Sequence, residues 1–200
     1  MPVLTLPFAH LNLKFNPFGE ATREDRAEMA VADVDRFVEL LQRGGAVEFV
    51  GGHGRGKSTQ LLALHRRFPE AHYLKLQRIE APRPAGLLFV DEVELVRDRD
   101  RLFRRCRSIA LGAHRSHADE LRRRYREVET VIVAGLTVGH LRAIVDRRIE
   151  WARRGPGPVP RVPDRALAAL IARFDDDVRS IESILYSSFQ ELDEVGNVEV

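Results

Sequence analysis

Residues Val47–Leu61 read VEFVGGHGRGKSTQL, and this stretch decides the fold. Gly51, four intervening residues and then Gly56-Lys57-Ser58 fit the spacing G-x-x-x-x-G-K-[ST]. Apolar Val47, Phe49 and Val50 predict a buried strand before the glycines, and Thr59–Arg67 predicts a helix after them. A glycine-rich loop in that setting suits an anion. Gly51, Gly52, Gly54 and Gly56 let successive backbone N–H groups converge without side chains in the way. The helix N-terminus adds unsatisfied donors and a partial positive charge. Lys57 is expected to reach the β- and γ-phosphates of a nucleotide, and the Ser58 hydroxyl to ligate Mg²⁺. His53, Arg55 and Thr59 complete the expected nucleotide contacts, on a loop read as exposed with the lysine stem short of the core. The plain alternative is a glycine-rich turn that happens to hold Gly-Lys-Ser. Against it, the chain has three lysines (Lys14, Lys57, Lys75) and twenty-nine arginines, so a lysine kept here suits a compact point charge.

Leu87-Leu88-Phe89-Val90-Asp91-Glu92 supplies a second signal: four apolar residues closed by two acids. Unbroken apolar character is expected of a strand buried on both faces of a parallel sheet. Its acids then fall at the strand's C-terminal end, where open α/β sheets bind ligands. Asp91 is expected to hold Mg²⁺ through water and Glu92 to polarise an attacking water. Acids after a strand also serve as helix N-caps, and without the glycine loop that would be the better reading.

The chain's 200 residues allow one domain with a small appendage. Apolar content of 44% and charged content of 31% are those of an ordinary globular protein. The net charge of +2 sets up no strong global field. Arginines cluster at Arg97–Arg107, Arg122–Arg126 and Arg147–Arg154, either as phosphate or nucleic-acid patches or as solvated helix faces balanced by nearby acids. The balanced face is the favoured reading. Cys106 is the only cysteine, so no intrachain disulfide or cysteine metal cluster is expected. No stretch reads as a signal peptide or a membrane span, and the cytoplasm is the expected compartment.

Taken in order, residues 1–19 read as an N-terminal arm ending in the turn Asn16-Pro17-Phe18-Gly19. Residues 20–136 read as an α/β core, 137–192 as an all-helical lid, and 193–200 as a frayed acidic tail. A helix starting near Thr22 is expected to run through Ala30–Leu41 to Gly44-Gly45. Strands are expected at His72–Leu76, Ser108–Gly112 and Thr130–Ala134, with a loop at Ala81-Pro82-Arg83-Pro84 between the first of them and the acid-terminated strand. Helices are expected at Val96–Arg105, His117–Arg126, Val138–Arg153, Pro163–Phe174 and Val178–Leu192. Strands alternating with helices predict a three-layer αβα core around a parallel sheet.

A P-loop core followed by a small helical segment resembles the AAA+ ATPases, in particular compact bacterial ATPases of the secretion, transposition and origin-recognition type. The resemblance spans roughly Leu11–Leu192. It implies that Asn16-Pro17-Phe18 is the turn packed near the adenine, with an ordinary Asx-Pro turn as the alternative. In Leu121-Arg122-Arg123-Arg124-Tyr125, the Arg-Tyr pair is similar to the family's arginine-finger box. Arg124 is then expected to reach a neighbouring subunit's γ-phosphate, with Arg122, Arg123 or a solvated face as alternatives. Asp177-Val178-Arg179-Ser180-Ile181 resembles the sensor-2 turn, which implies that Arg179 faces the phosphates. His114 occupies about the place of sensor 1, where the family usually has Asn or Thr.

Two readings follow. One is a Mg²⁺-dependent ATPase, working as a homo- or hetero-oligomer and passing its cycle to a partner protein or to DNA. The other is an ATP-dependent switch or assembly module with little or no hydrolysis. The family resemblance favours ATP over GTP, because the chain has no [NT]-K-x-D.

Overall fold

The computed structural model describes residues 6–75 and 85–200. The expected loop at Ala81–Pro84 and the end of the strand expected at Leu76 lie outside them. Two compact units divide the chain: residues 26–134 form one, and residues 6–25 join Gly135–Val200 in the other.

The first unit is an α/β layer structure. Strands β1 (Ala46–Val50), β2 (His72–Lys75), β3 (Ala85–Asp91), β4 (Cys106–Ala113) and β5 (Val128–Ile132) lie in the order β2-β3-β4-β1-β5. Every neighbouring pair is parallel. Alternate side chains leave the sheet on opposite faces. Val47, Phe49, Phe89 and Ala110 pack with Leu41 and with Leu61 and Leu64 of α3 (Lys57–His65). Ala46, Leu88, Val90, Ile109 and Leu111 pack with Leu102, Phe103 and Leu121, which come from α4 (Arg99–Arg105) and α5 (Ala118–Arg122). Helices therefore cover both faces, which is why β1 is buried along its whole length.

One residue of that strand breaks the apolar pattern. Glu48 is fully buried among side chains, and three donors converge on its carboxylate. Ser116 Oγ and Thr130 Oγ1 each donate at 2.6 Å and His117 N at 2.7 Å. A buried acid is tolerated only when bonded in this way. Glu48 thereby pins the loop after β4 and the middle of β5 to β1.

The register fixes which loops meet. Val50 lies opposite Ala113, and Asp91 opposite Gly112, so the residues that follow β1, β3 and β4 share one edge of the sheet. Ala46 lies opposite both Ile109 and Val128, so the starts of β1, β4 and β5 share the other.

The long helix expected before β1 is broken. The chain instead forms α1 (Arg23–Glu28), an irregular stretch, one 3-10 turn at Asp35–Phe37 and α2 (Val38–Gln42). Val31, Asp33 and Val34 are poor helix formers, and Met29 and Val34 bury their side chains from the irregular stretch. The helix expected from Val96 starts at Arg99, because Asp98 caps it by accepting from Arg101 N at 2.9 Å. Strand β5 begins two residues earlier than expected, since Ala46 N donates to Glu127 O and draws Val128 into register.

The second unit is helical: α6 (Val138–Ala152), α7 (Asp164–Phe174) and α8 (Val178–Gln190). Each offers one apolar stripe, Leu141, Val145 and Ile149 on α6 and Ile181, Leu185 and Phe189 on α8, with Leu167 and Leu170 of α7 between them. Truncating Leu185 to Ala would cost about 2–5 kcal/mol, the usual range for a fully buried leucine. Leu11, Leu13 and Phe18 join this core, so the arm is held in the helical unit. Asn16 forms an Asx turn by accepting from Phe18 N at 3.0 Å and donates to Tyr186 O at 2.9 Å.

The tail departs from expectation. Residues 193–200 are not frayed: Arg161 bridges to Asn197, Val198 N donates to Arg161 O at 2.8 Å, and Val198 is fully buried. Among the described residues, no helix is long and apolar enough to cross a membrane.

Candidate functional site

The glycine loop leaves β1 at Gly51, whose N–H donates to Ala113 O at 3.1 Å. Gly54 and Gly56 take φ values of 74° and 89°, which L side chains rarely adopt. The loop then enters α3 at Lys57. Gly56 is the N-cap and has no side chain to cap with, so the first-turn N–H groups of α3 remain for an incoming anion. His53 is exposed and Arg55 half-buried on the loop, and Thr59 lies on the first turn of α3.

Lys57 was expected on an exposed loop, yet it is only 7% exposed. Its Nζ donates to Gly52 O at 2.6 Å, folding the ammonium back into the loop.

The two halves of the pattern meet. Ser58 Oγ donates to Asp91 Oδ1 at 3.1 Å, and Asp91 is 1% exposed at the end of β3. Gly112 on β4 makes room for the carboxylate, because a Cβ there would stand 2.9 Å from Asp91 Oδ1. The Tyr73 hydroxyl approaches Asp91 Oδ2 at 3.4 Å. A buried carboxylate beside a hydroxyl is a hard-oxygen donor set, the kind that Mg²⁺ prefers.

Glu92 is half-buried and stands at φ 61°, ψ 56° as the residue before a single 3-10 turn at Val93–Leu95. Its side chain makes no cap hydrogen bond. A non-glycine residue held in the left-handed region without a capping role is a strained position of the kind found at functional sites.

His114 follows β4 on the same sheet edge. Its ring lies 4.1 Å from that of His53, centroid to centroid. Its backbone N–H donates to Glu94 Oε1, as does that of Arg115 at 3.3 Å. Burial pushes the Glu94 carboxyl up, but the N–H groups of Glu94 itself, His114 and Arg115 outweigh that and hold it below the usual range.

Arg124 is exposed and sits elsewhere. Its guanidinium carbon lies 5.6 Å from the Tyr125 ring centroid. The buried Tyr125 hydroxyl approaches Phe103 O at 3.0 Å and Cys106 O at 3.3 Å, which fixes this turn at the start of β4. That is the sheet edge opposite the glycine loop, so Arg124 is far from its own chain's Lys57. Five-residue strands separate the two edges by about 16 Å. Arg179 belongs to the helical unit, exposed in the first turn of α8. That turn is capped by Asp177, whose carboxyl is held low mainly by the Ser180 hydroxyl.

The sequence reading passed over Tyr73, Glu48, Glu94 and His117. Glu48 had a legible signal, an acid inside an otherwise apolar strand. Glu94 and Tyr73 had none beyond nearness to the motif or to the next strand.

Fold and site together define a P-loop α/β protein with a helical C-terminal unit. Among solved structures the chain is similar to domain III of the Thermotoga maritima replication initiation protein DnaA, with a TM-score of 0.55 and 15% identity over 82% of this chain and 86% of that one. It is similar to a single-residue variant of Thermotoga maritima RuvB, with a TM-score of 0.55 and 15% identity over 80% of this chain. A second Thermotoga maritima RuvB, a Holliday junction branch migration motor, matches with a TM-score of 0.52 and 16% identity over 86% of this chain. The match spans 63% and 62% of those two RuvB chains. The resemblance to AAA+ ATPases therefore holds at the level of the fold. No family model matches the chain, and no curated protein matches it in sequence.

Proposed function

We propose that this protein is a Mg²⁺-dependent ATPase that works as an oligomer and passes its nucleotide cycle to a partner macromolecule. The observation that carries the reading is the Ser58–Asp91 contact beside the glycine loop, with Glu92 next in the chain. Ser58 and Asp91 would hold Mg²⁺, Asp91 through water. When bound, the cation supplies charge neutralisation for the β- and γ-phosphates. Lys57 exchanges the Gly52 carbonyl for a phosphate oxygen, and the loop N–H groups of residues 51–59 orient the phosphate chain. Glu92 accepts a proton from the water that attacks the γ-phosphorus, and the P–O bond to ADP breaks.

Arg124 serves the neighbouring subunit, since it lies at the sheet edge away from its own loop. His114 is proposed to contact the γ-phosphate, and Arg179 is proposed as a further phosphate contact. DNA is a candidate partner, on the strength of the replication initiation and branch migration named for DnaA and RuvB. Phosphate release from ATP, measured against Mg²⁺ and against protein concentration with and without DNA, tests the proposal. ATP binding without release under every condition would leave the switch.

A further inference from the structure

Glu94 has no place in the proposal above, yet its geometry ties together two parts that do. It lies two residues beyond Glu92, in the 3-10 turn Val93–Leu95 that continues from the end of β3. From there its Oε1 accepts the backbone N–H groups of His114 and Arg115, on the segment leaving β4. One carboxylate oxygen thus holds the backbone at the residue whose ring meets His53 of the glycine loop.

Behind Glu94 stands His117. Its side chain is 2% exposed, with Nε2 3.8 Å from Glu94 Oε1 and Nδ1 3.4 Å from Glu120 Oε1. Glu120 is itself paired with Arg99, whose Nε lies 3.2 Å from Glu120 Oε2. Glu94 Oε2 and His117 Nε2 are both buried with no hydrogen-bond partner among the described residues. Such atoms are costly and rare, and two in a single cluster suit a group held for function more than for stability. The His117 backbone N–H is fixed independently by Glu48. The ring is therefore a firm wall against which the Glu94 carboxylate rests.

We infer that Glu94 is a positioning residue of the catalytic site: backed by His117, it sets the backbone at His114 and so the His114 ring against His53 of the glycine loop, linking the turn that follows Glu92 to the end of β4. This rests on the ATPase reading for its effect on rate, but its structural half is independent of it. A carboxylate that acts by reach is distinguishable from one that acts by charge. Asp keeps the charge but is one methylene too short to reach the His114 N–H. Gln keeps an oxygen at the right distance while removing the charge.

The test compares Glu94→Ala, Glu94→Asp and Glu94→Gln. Glu94→Ala and Glu94→Asp are expected to lower kcat at least about ten-fold with KM for ATP within about three-fold, since a misplaced contact near the reacting centre costs rate more than binding. Glu94→Gln is expected to keep at least half of the parent's kcat. Through-space NMR contacts between the His53 and His114 rings are expected in the parent and in Glu94→Gln and lost in Glu94→Ala. Parental kcat in Glu94→Asp well below its melting temperature overturns the inference, as do ring contacts that persist in Glu94→Ala or a Glu94→Gln as slow as Glu94→Ala. If the parent itself releases no phosphate, the ATPase reading has failed and the ring contacts alone decide the positioning.

Discussion

Ser58 Oγ and Asp91 Oδ1 stand 3.1 Å apart, joining the first turn of α3 to the end of β3 across 33 residues of sequence. The contact exists because β1 and β3 both flank β4 in parallel, so their C-terminal ends emerge at the same sheet edge, one on each side of β4. Replacing Lys57, the residue before Ser58, separates binding from folding. Lys57→Ala is expected to lose at least about a hundred-fold in ATP affinity. It removes the charge-assisted hydrogen bond to Gly52 O, so its melting temperature should fall by the equivalent of about 1.5–3 kcal/mol. Calorimetric titration and thermal melting check both. Unchanged affinity sinks the nucleotide reading.

Glu92 carries two predictions from one backbone fact, its φ of 61°. Glu92→Gln keeps the side-chain shape and the strain, so it should bind ATP·Mg²⁺ like the parent and turn it over at least about ten-fold slower. Glu92→Gly removes the strain and should raise stability by roughly 1 kcal/mol while losing turnover. A cap would show the reverse, lower stability with turnover kept. The structure has already removed that alternative's main support, because the Glu92 side chain caps nothing.

Acidification tests the carboxylates around His117. The Arg99 guanidinium holds the Glu120 carboxyl below its ordinary 4.5, helped by the hydrogen bond from His117. Glu94 is likewise held low. A carboxyl depressed in the folded state adds stability above its unfolded value, and that stability is lost as pH falls through the folded value. Melting temperatures of the parent should therefore drop below about pH 4.5 more steeply than those of Glu120→Gln, and the two curves should converge on further acidification. Parallel curves through that window would show that the Arg99–Glu120 pair adds nothing.

The glycine loop and the Asp91-Glu92 pair were legible because backbone chemistry demands those residues at that spacing: few others take φ near 89° or end a buried strand in two acids. The helices of the second unit were legible for a related reason. Leu141, Val145 and Ile149 or Ile181, Leu185 and Phe189 repeat at the helical period, and local caps such as Thr137 and Asp177 mark the starts. What the sequence did not disclose depends on contacts between distant segments. Nothing local says that Glu48 would draw Ser116, His117 and Thr130 onto one carboxylate, or that Glu94 would reach His114. The tail misled for the same reason. Its acids suggest solvation, but Val198 is buried by pairing with Arg161, 37 residues upstream, which no window on the tail contains.

Arg124 separates an assembled motor from a lone switch. It stands at the edge of the sheet where β1, β4 and β5 begin, held there by Tyr125's contacts to Phe103 O and Cys106 O, while the glycine loop stands at the edge where the strands end. Its own site is therefore out of reach, and any catalytic part it plays is played on another subunit. If so, specific activity should rise with protein concentration, and Arg124→Ala should lower turnover about a thousand-fold or more with little change in ATP affinity. Arg122 and Arg123 are exposed on the same turn, and their alanine variants serve as controls for charge alone. Mixing Arg124→Ala with Glu92→Gln gives the sharper test. A Glu92 defect disables only its own subunit's site, whereas an Arg124 defect disables the neighbour's. Mixed oligomers then contain some interfaces with both residues intact, and activity should partly return. If the mixture stays as inactive as its parts and wild-type activity does not depend on concentration, Arg124 is surface charge and each chain works alone.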